Sequence, residues 1–572
     1  MIRGDIMLLS HVYSGFRWIY YGCSFIKRTL TRPADYIIIE LEGNYNFFPE
    51  PQNFLKKRFA KTPPAILNLK KQLKTISNDP RLTGVVLKQT NFNIPYTYLD
   101  EVIDALKILK NNNKKLYSWA KNYSTSGYFL ASYCDEIFLQ PGGKIDELGF
   151  LNESFFLKDA LNQLGIEFDI FKISPYKTAS DFLIRSNSSK EAREMNQWIM
   201  NSIYDNFINN ISWGRKKTKQ EMEELVNNAP YTDNESLELG LIDKILGEED
   251  LVKFLKPLDK KESKKIQHSI KIENFKSAHK KLYPPRPKKS KGSVGLVKIE
   301  GMIIDGRSKA PQNYPPIPIP LIAGERAGDL TITEQLRKLG ANPKIKGIIV
   351  FIDSGGGSAL ASESIAYTIR SITRQKPVIA LLGEKAASGG YYVASQADYI
   401  VSYPTTLTGS IGVVAGKAVN TNLLNKLLIN REINVRGNSR EMFYSHRVFN
   451  DREREKMQEG LMRTYNLFLE RVCEGRKMTK AQLDPIAKGK VWTGEQALAK
   501  GLVDELGGFE ETKVKMKELT GLSKFSIYEP KITERYQISK FDEQQNIVNY
   551  SIEGLKLFDG KKPLCIAEEL VY

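Results

Sequence analysis

Two glycine-rich turns carry the residue types with the most obvious chemistry. The first is DSGGGS, Asp353 to Ser358; the second is KAASGGYY, Lys385 to Tyr392. Each directly follows an apolar run of strand length. Glycine after a parallel strand permits positive φ and turns backbone N–H groups toward a ligand. Two such turns at adjacent strand ends offer a pair of N–H donors to an oxyanion. Ser388 is flanked by alanine and glycine, so no bulky neighbour obstructs the approach of its hydroxyl to a carbonyl carbon. That pattern fits nucleophilic acyl transfer, although either turn taken alone reads equally as a structural turn.

The elements that must position these turns come in two copies. PRLTGVVL (80–87) reads like PKIKGIIV (343–350), with Gly84 and Gly347 lying 263 residues apart. At the same spacing, YFLASYCDEIFLQP (128–141) matches YYVASQADYIVSYP (391–404). GRKKTK (214–219) matches GRKMTK (475–480), and ESLELGLID (235–243) matches EQALAKGLVD through Gly240/Gly501 and Asp243/Asp504. Upstream, IIIELEG (37–43) matches GLVKIEG (295–301). Collinear matches of this kind mark a duplicated unit. Within it, the β-branched and aromatic runs YIIIEL, GVVL, KLYSWA and DEIFL read as strands. YLDEVIDALKILK (98–110) reads as a helix. Alternating strands and helices predict a mostly parallel sheet in each copy.

The copies differ where the chemistry lies. Ser388 faces Thr125, Gly389 faces Ser126, and Gly355, Gly356 and Gly357 face Phe92, Asn93 and Ile94. If these glycines served only the fold, both copies would need them. A serine nucleophile also needs a base. The chain has four histidines: His11, His268, His279 and His446. Only His446 lies outside the N-terminal segment and the linker. Lysine is the alternative, if its surroundings favour the neutral amine. Copy one offers Lys177 in ISPYKTASDFLIRS, a loop before a long helix. The matching stretch of copy two has no lysine between residues 427 and 455. One copy thus keeps a nucleophile turn and the other a lysine loop.

These motifs resemble the long, tandem-repeat form of signal peptide peptidase A, the protease IV family, over residues 34–515. The resemblance is carried by SGGGS, AASGGYYVAS, LTGSIGVV (407–414), VWTGEQALAKGLVDELG (491–507) and YKTASDFLIRS. It implies a Clp/crotonase-like α/β fold and a Ser–Lys endopeptidase with Ser388 as nucleophile and Lys177 as base. It further implies Gly356 and Gly389 as oxyanion donors and Ser410 as the residue orienting the lysine. It also implies a membrane-associated homotetramer that degrades cleaved signal peptides and needs no metal or cofactor. Gly355 departs from the family, which commonly has proline there.

Composition bounds the rest. The chain has 572 residues and a formal net charge of +18. That excess favours acidic partners, but much of it is local, and no zinc-finger, RRM or Walker A pattern supports nucleic-acid binding. Cys23, Cys134, Cys473 and Cys565 form no CxxC pair, which argues against a disulfide framework. Residues 6–26 are largely apolar and aromatic, but Arg17 interrupts them, and a central arginine costs about 2.5–3.5 kcal/mol on insertion. A basic, aromatic segment fits an interfacial anchor better than a spanning helix. The expected location is the plasma (inner) membrane, through peripheral attachment or a single N-terminal anchor. The expected organisation is 1–33 membrane-associated, 34–252 first repeat, 253–292 basic linker, 293–515 second repeat and 516–572 C-terminal extension. NYPPIPIP (313–320) reads as a lid or partner loop. A crotonase-like acyl-CoA enzyme and a non-catalytic scaffold share this fold and remain as alternatives. The S-x-x-K formed by Ser174 and Lys177 lacks the companion motifs of penicillin-binding enzymes.

Overall fold

The computed structural model describes residues 19–50, 63–255, 271–284, 292–309, 325–437, 439–530 and 564–566. The Pro-rich stretch 313–320, most of the basic linker and residues 1–18 lie outside the described residues. Residues 19–29 are helical. No helix among the described residues is long and apolar enough to cross a membrane.

The chain forms two compact units. One comprises residues 1–150 and 204–289, the other residues 151–203 and 290–572. This division cuts across the sequence repeat. Residues 151–203 belong to the first copy by sequence and to the second unit by packing.

The first unit is built on parallel strands in the spatial order Glu136–Ile145, Lys115–Tyr123, Gly84–Asn93, Tyr36–Asn44 and Ile272–Asn274. Tyr231–Thr232 is added antiparallel at the edge. Strands covered on both faces are apolar without alternation, and Gly84 to Leu87 are all buried. The helix read from the sequence spans Leu99–Asn111 and buries Leu99, Val102, Ile103, Leu106 and Leu109.

The second unit holds two sheets. The larger runs Val491–Thr493, Leu407–Gly409, Val378–Ala387, Ile345–Ser354, Ser293–Glu300 and Ser526–Tyr528, parallel except for the first pair. Its core packs Ile348, Val350 and Ile352 with Ile365, Ile369 and Phe468. Each such burial contributes about 1.5–3 kcal/mol. The smaller sheet runs Arg326–Gly328, Met302–Ile304, Gly356–Ser358, Leu564–Ile566, Val414–Val419 and Glu167–Lys172.

The repeat is visible as a joint built twice. Arg215 pairs with Asp243 at 2.9 Å and donates to Gly240 O; Arg476 pairs with Asp504 at 2.6 Å and donates to Gly501 O. Tyr128 donates its hydroxyl to Leu241 O, as Tyr391 does to Leu502 O. Thr232 and Thr493 each start a helix with a capping box, in which side chain and backbone satisfy each other's orphan donors. Gly240 and Gly501 have φ of +67° and +71°. The matched residues therefore do the same structural work in each copy.

Candidate functional site

The strand Val378–Ala387 runs into the short helix Gly389–Ala394, with Ser388 at the junction. The turn is tight because Gly390 lies against the neighbouring strand end; a Cβ there would sit 2.5 Å from Ser354 O. Ser388 is held at φ +53° and ψ −113°. Such a conformation costs a non-glycine residue about 1–3 kcal/mol and persists only where its surroundings impose it. Here Ser388 N–H donates to Gly409 O at 2.8 Å, and Tyr392 N–H donates to Ser388 O at 2.8 Å. The Ser388 hydroxyl makes no capping bond to the helix it precedes.

Lys177 reaches this hydroxyl from the segment 151–203. Its Nζ lies 2.7 Å from Ser388 Oγ, 2.9 Å from Ser410 O and 3.0 Å from Ser410 Oγ. Both side chains are removed from solvent: Lys177 is 1% exposed and Ser388 0%. Three features seat the lysine loop. The strand Glu167–Lys172 pairs antiparallel with Val414–Val419. Trp198 stacks on Trp492 at 4.9 Å and donates its ring N–H to Val491 O. Ser174 Oγ donates to Lys488 O. Beside them, Gly489 takes φ +82°, and a Cβ there would come within 2.8 Å of Lys177 Cα and N. Ser410, at φ +49°, is fixed by its N–H on Lys490 O at 2.7 Å.

The two glycine turns meet at this point. Gly356 and Gly357 have φ of +105° and +153°. A Cβ on Gly357 would lie 2.0 Å from Ile303 O, so no other residue fits. Gly389 N–H is the first of its helix and has no acceptor within that helix. Gly356 N–H donates to Ser354 Oγ at 3.1 Å. It reaches an oxyanion only if that bond opens or is shared.

Ser388, Lys177, Ser410 and Gly389 thus converge in one compact unit, with Gly356 on the adjoining loop. His446 does not join them. Its Nε2 lies 3.0 Å from Glu441, and burial holds its imidazole below the ordinary range. Close by, on the strand leading to Gly301, burial pushes the Glu300 carboxyl up to about 7, with Glu325 and Asp353 adding to the effect. The site residue that sequence reading passed over is Gly489. Its counterpart in the first copy is Asn228, the same kind of asymmetry that singled out Gly356.

Residues 108–262 and 370–523 match the sequence pattern of Peptidase family S49. The chain is 31% identical over 457 residues to Protease 4 of Haemophilus influenzae, covering 77% of this chain and 71% of that one. It is 28% identical over 476 residues to Protease 4 of Salmonella typhi, covering 81% and 73%. It is 30% identical over 436 residues to the chloroplastic serine protease SPPA of Arabidopsis thaliana, covering 75% and 62%.

Proposed function

Because the chain belongs to peptidase family S49 and is a serine peptidase, we propose that Ser388 and Lys177 are its catalytic pair and that it cleaves within extended, apolar peptides. The observation that carries this reading is the 2.7 Å approach of Lys177 Nζ to Ser388 Oγ, away from water. A neutral lysine has two protons and one lone pair. Ser410 O and Oγ are placed to accept the two protons. The lone pair then faces Ser388, whose hydroxyl donates to it. Burial favours this neutral amine over an ammonium.

In the proposed reaction, Ser388 Oγ attacks the peptide carbonyl carbon and Lys177 takes the hydroxyl proton. The resulting ammonium is held by Ser410, and the oxyanion accepts from Gly389 N–H and Gly356 N–H. Lys177 passes its proton to the leaving amine, then draws one from the water that releases the acyl group. The strained Ser388 backbone pre-orients the attack. The substrates proposed are membrane-associated peptides such as cleaved signal peptides. They would reach a homo-oligomer, a tetramer in the family form resembled, attached at the membrane surface through its basic, aromatic N-terminal segment. An alkyl fluorophosphonate tests the assignment. Labelling at Ser388 that is lost in Lys177→Ala supports it. Full peptidase activity in Lys177→Ala overturns it, and an acyl-CoA enzyme or scaffold on this fold would leave Ser388 unlabelled.

A further inference from the structure

One donor of the proposed oxyanion pair is already engaged in the resting turn. Gly356 N–H donates to Ser354 Oγ at 3.1 Å, and the Ser354 hydroxyl faces Gly356 O at 3.5 Å. Both residues are buried. A buried N–H without a partner is costly, and here the side chain two residues upstream provides one.

The backbone on either side of this bond is pinned. Ser354 closes its strand opposite Ala386. Its carbonyl lies against Gly390, where a Cβ would come within 2.5 Å. Gly357 pairs with Ile303, and a Cβ on it would come within 2.0 Å of Ile303 O. Between the pinned ends lie Gly355 and Gly356. Glycine takes positive and negative φ about equally, and Gly356 stands at φ +105°. The peptide unit joining these two glycines can rotate while its neighbours stay in place. Rotation breaks the bond to Ser354 and frees Gly356 N–H for another acceptor. In the first copy the matching residue is Asn91, exposed on a strand that runs on to Asn93. The bonded turn belongs to the copy that carries Ser388.

We infer that Ser354 is a positioning residue that latches an oxyanion donor: its hydroxyl holds Gly356 N–H in the resting site and releases it to the reacting carbonyl. This rests on the peptidase reading of Ser388 and Lys177. A neutral amide carbonyl and a neutral hydroxyl are comparable acceptors, so bound substrate gains little by displacing Ser354. An oxyanion is a charged acceptor, and its hydrogen bonds are roughly twice as strong. The exchange is driven when Ser388 Oγ adds to the carbonyl carbon and negative charge moves onto the carbonyl oxygen. The latch keeps this donor from tightening substrate binding and reserves it for the transition state, where binding raises kcat.

The test reads KM and kcat separately with an internally quenched octapeptide of leucine and alanine. Ser354→Ala frees Gly356 N–H for the substrate carbonyl. KM should fall about fivefold, the effect of one neutral hydrogen bond, while kcat stays within about twofold. Ser354→Cys, with a weakly accepting sulfur, should move KM the same way by a smaller factor, and it carries the test if the alanine variant does not fold. Ser354→Thr retains the hydroxyl and should restore the original KM. Asn91→Ala should change neither parameter. On a Ser388→Ala background, which binds without turnover, fluorescence anisotropy should show the dansylated octapeptide held about fivefold more tightly when Ser354→Ala is added. A folded Ser354→Ala chain with unchanged or raised KM overturns the inference. So does a loss of kcat of about tenfold or more, because Ser354 would then support the transition state itself. The two readings fail separately. Labelled Ser388 with unchanged peptide affinity removes the latch and keeps the catalytic pair. Unlabelled Ser388 with tighter peptide affinity does the reverse.

Discussion

The turn that opens the helix Thr125–Ala131 and the turn that opens Gly389–Ala394 stand at matching places in the two copies, and each has a serine in the cap position. Ser124 has φ −75° and ψ 172°, and its hydroxyl accepts from Gly127 N–H. It does the ordinary work of a cap, which contributes about 1 kcal/mol. Ser388 sits at φ +53° and leaves its helix uncapped. In place of that bond its hydroxyl faces Lys177. Gly127 and Gly390 show what the two turns share, since a Cβ on either would come within 2.7 Å of a residue on the adjacent strand, Gln89 Oε1 for the first and Ser354 O for the second. The second copy has traded local stability for a hydroxyl that points away from its own helix. The first copy kept the stable arrangement.

The largest expected effect falls on one side of this comparison only. Lys177→Ala or Ser388→Ala should lower kcat/KM for a peptide by about 10⁴-fold or more, while Thr125→Ala, at the matching turn, leaves it within error. Circular dichroism should show both variants folded. Next comes Gly489→Ala. It places a Cβ against Lys177 Cα at a left-handed φ and should cost about 10²-fold in kcat, because a misplacement near 1 Å has that effect. Asn228→Ala, its counterpart, should leave kcat unchanged.

A third difference concerns pH. Glu300 is half-buried, whereas its counterpart Glu42 is exposed. The folded Glu300 carboxyl titrates near 7, above its ordinary 4.5. The folded state therefore holds a proton that the unfolded state releases. Its contribution to stability is complete below about 4.5 and is lost as pH rises through 7. Denaturant titrations should show Glu300→Gln reducing the fall in stability between pH 5 and pH 8 by about 1–3 kcal/mol. Glu42→Gln should change it by less than about 0.5 kcal/mol. The smallest effect sharpens the comparison of the turns themselves. Ser388→Gly should stabilise the chain by about 1 kcal/mol by relieving backbone strain. Ser124→Ala should destabilise it by about 1 kcal/mol by removing a cap.

What the sequence made legible follows from the kind of constraint involved. The duplication could be read because its matched residues, Arg215/Arg476 with Asp243/Asp504 and Gly240/Gly501, make contacts that tolerate few substitutes. The candidate site was legible through residues present in one copy alone. Pairing across distance was not. The strand Glu167–Lys172 pairs with Val414–Val419, but nothing in its sequence pattern names that partner, because a period of two fixes the face and leaves the neighbour open. The allegiance of residues 151–203 to the second unit followed from that pairing and stayed hidden with it. Ser354 was likewise out of reach. Its bond to Gly356 N–H is a matter of turn geometry, not of residue type. His446 was set aside only through the stronger case for Lys177, and the structure places it on Glu441.

The placement of the proposed base also sets a clock. Lys177 and Ser388 are 211 residues apart in the chain, and the loop that seats the lysine closes on Gly489. Synthesis at about 5–20 residues per second, with earlier parts folding first, leaves the growing polypeptide without an assembled base and nucleophile until nearly the whole second unit has left the ribosome. A protease encoded this way carries its own delay. On the proposed assignment it stays inert through most of its synthesis, because chain order separates the two halves of its chemistry.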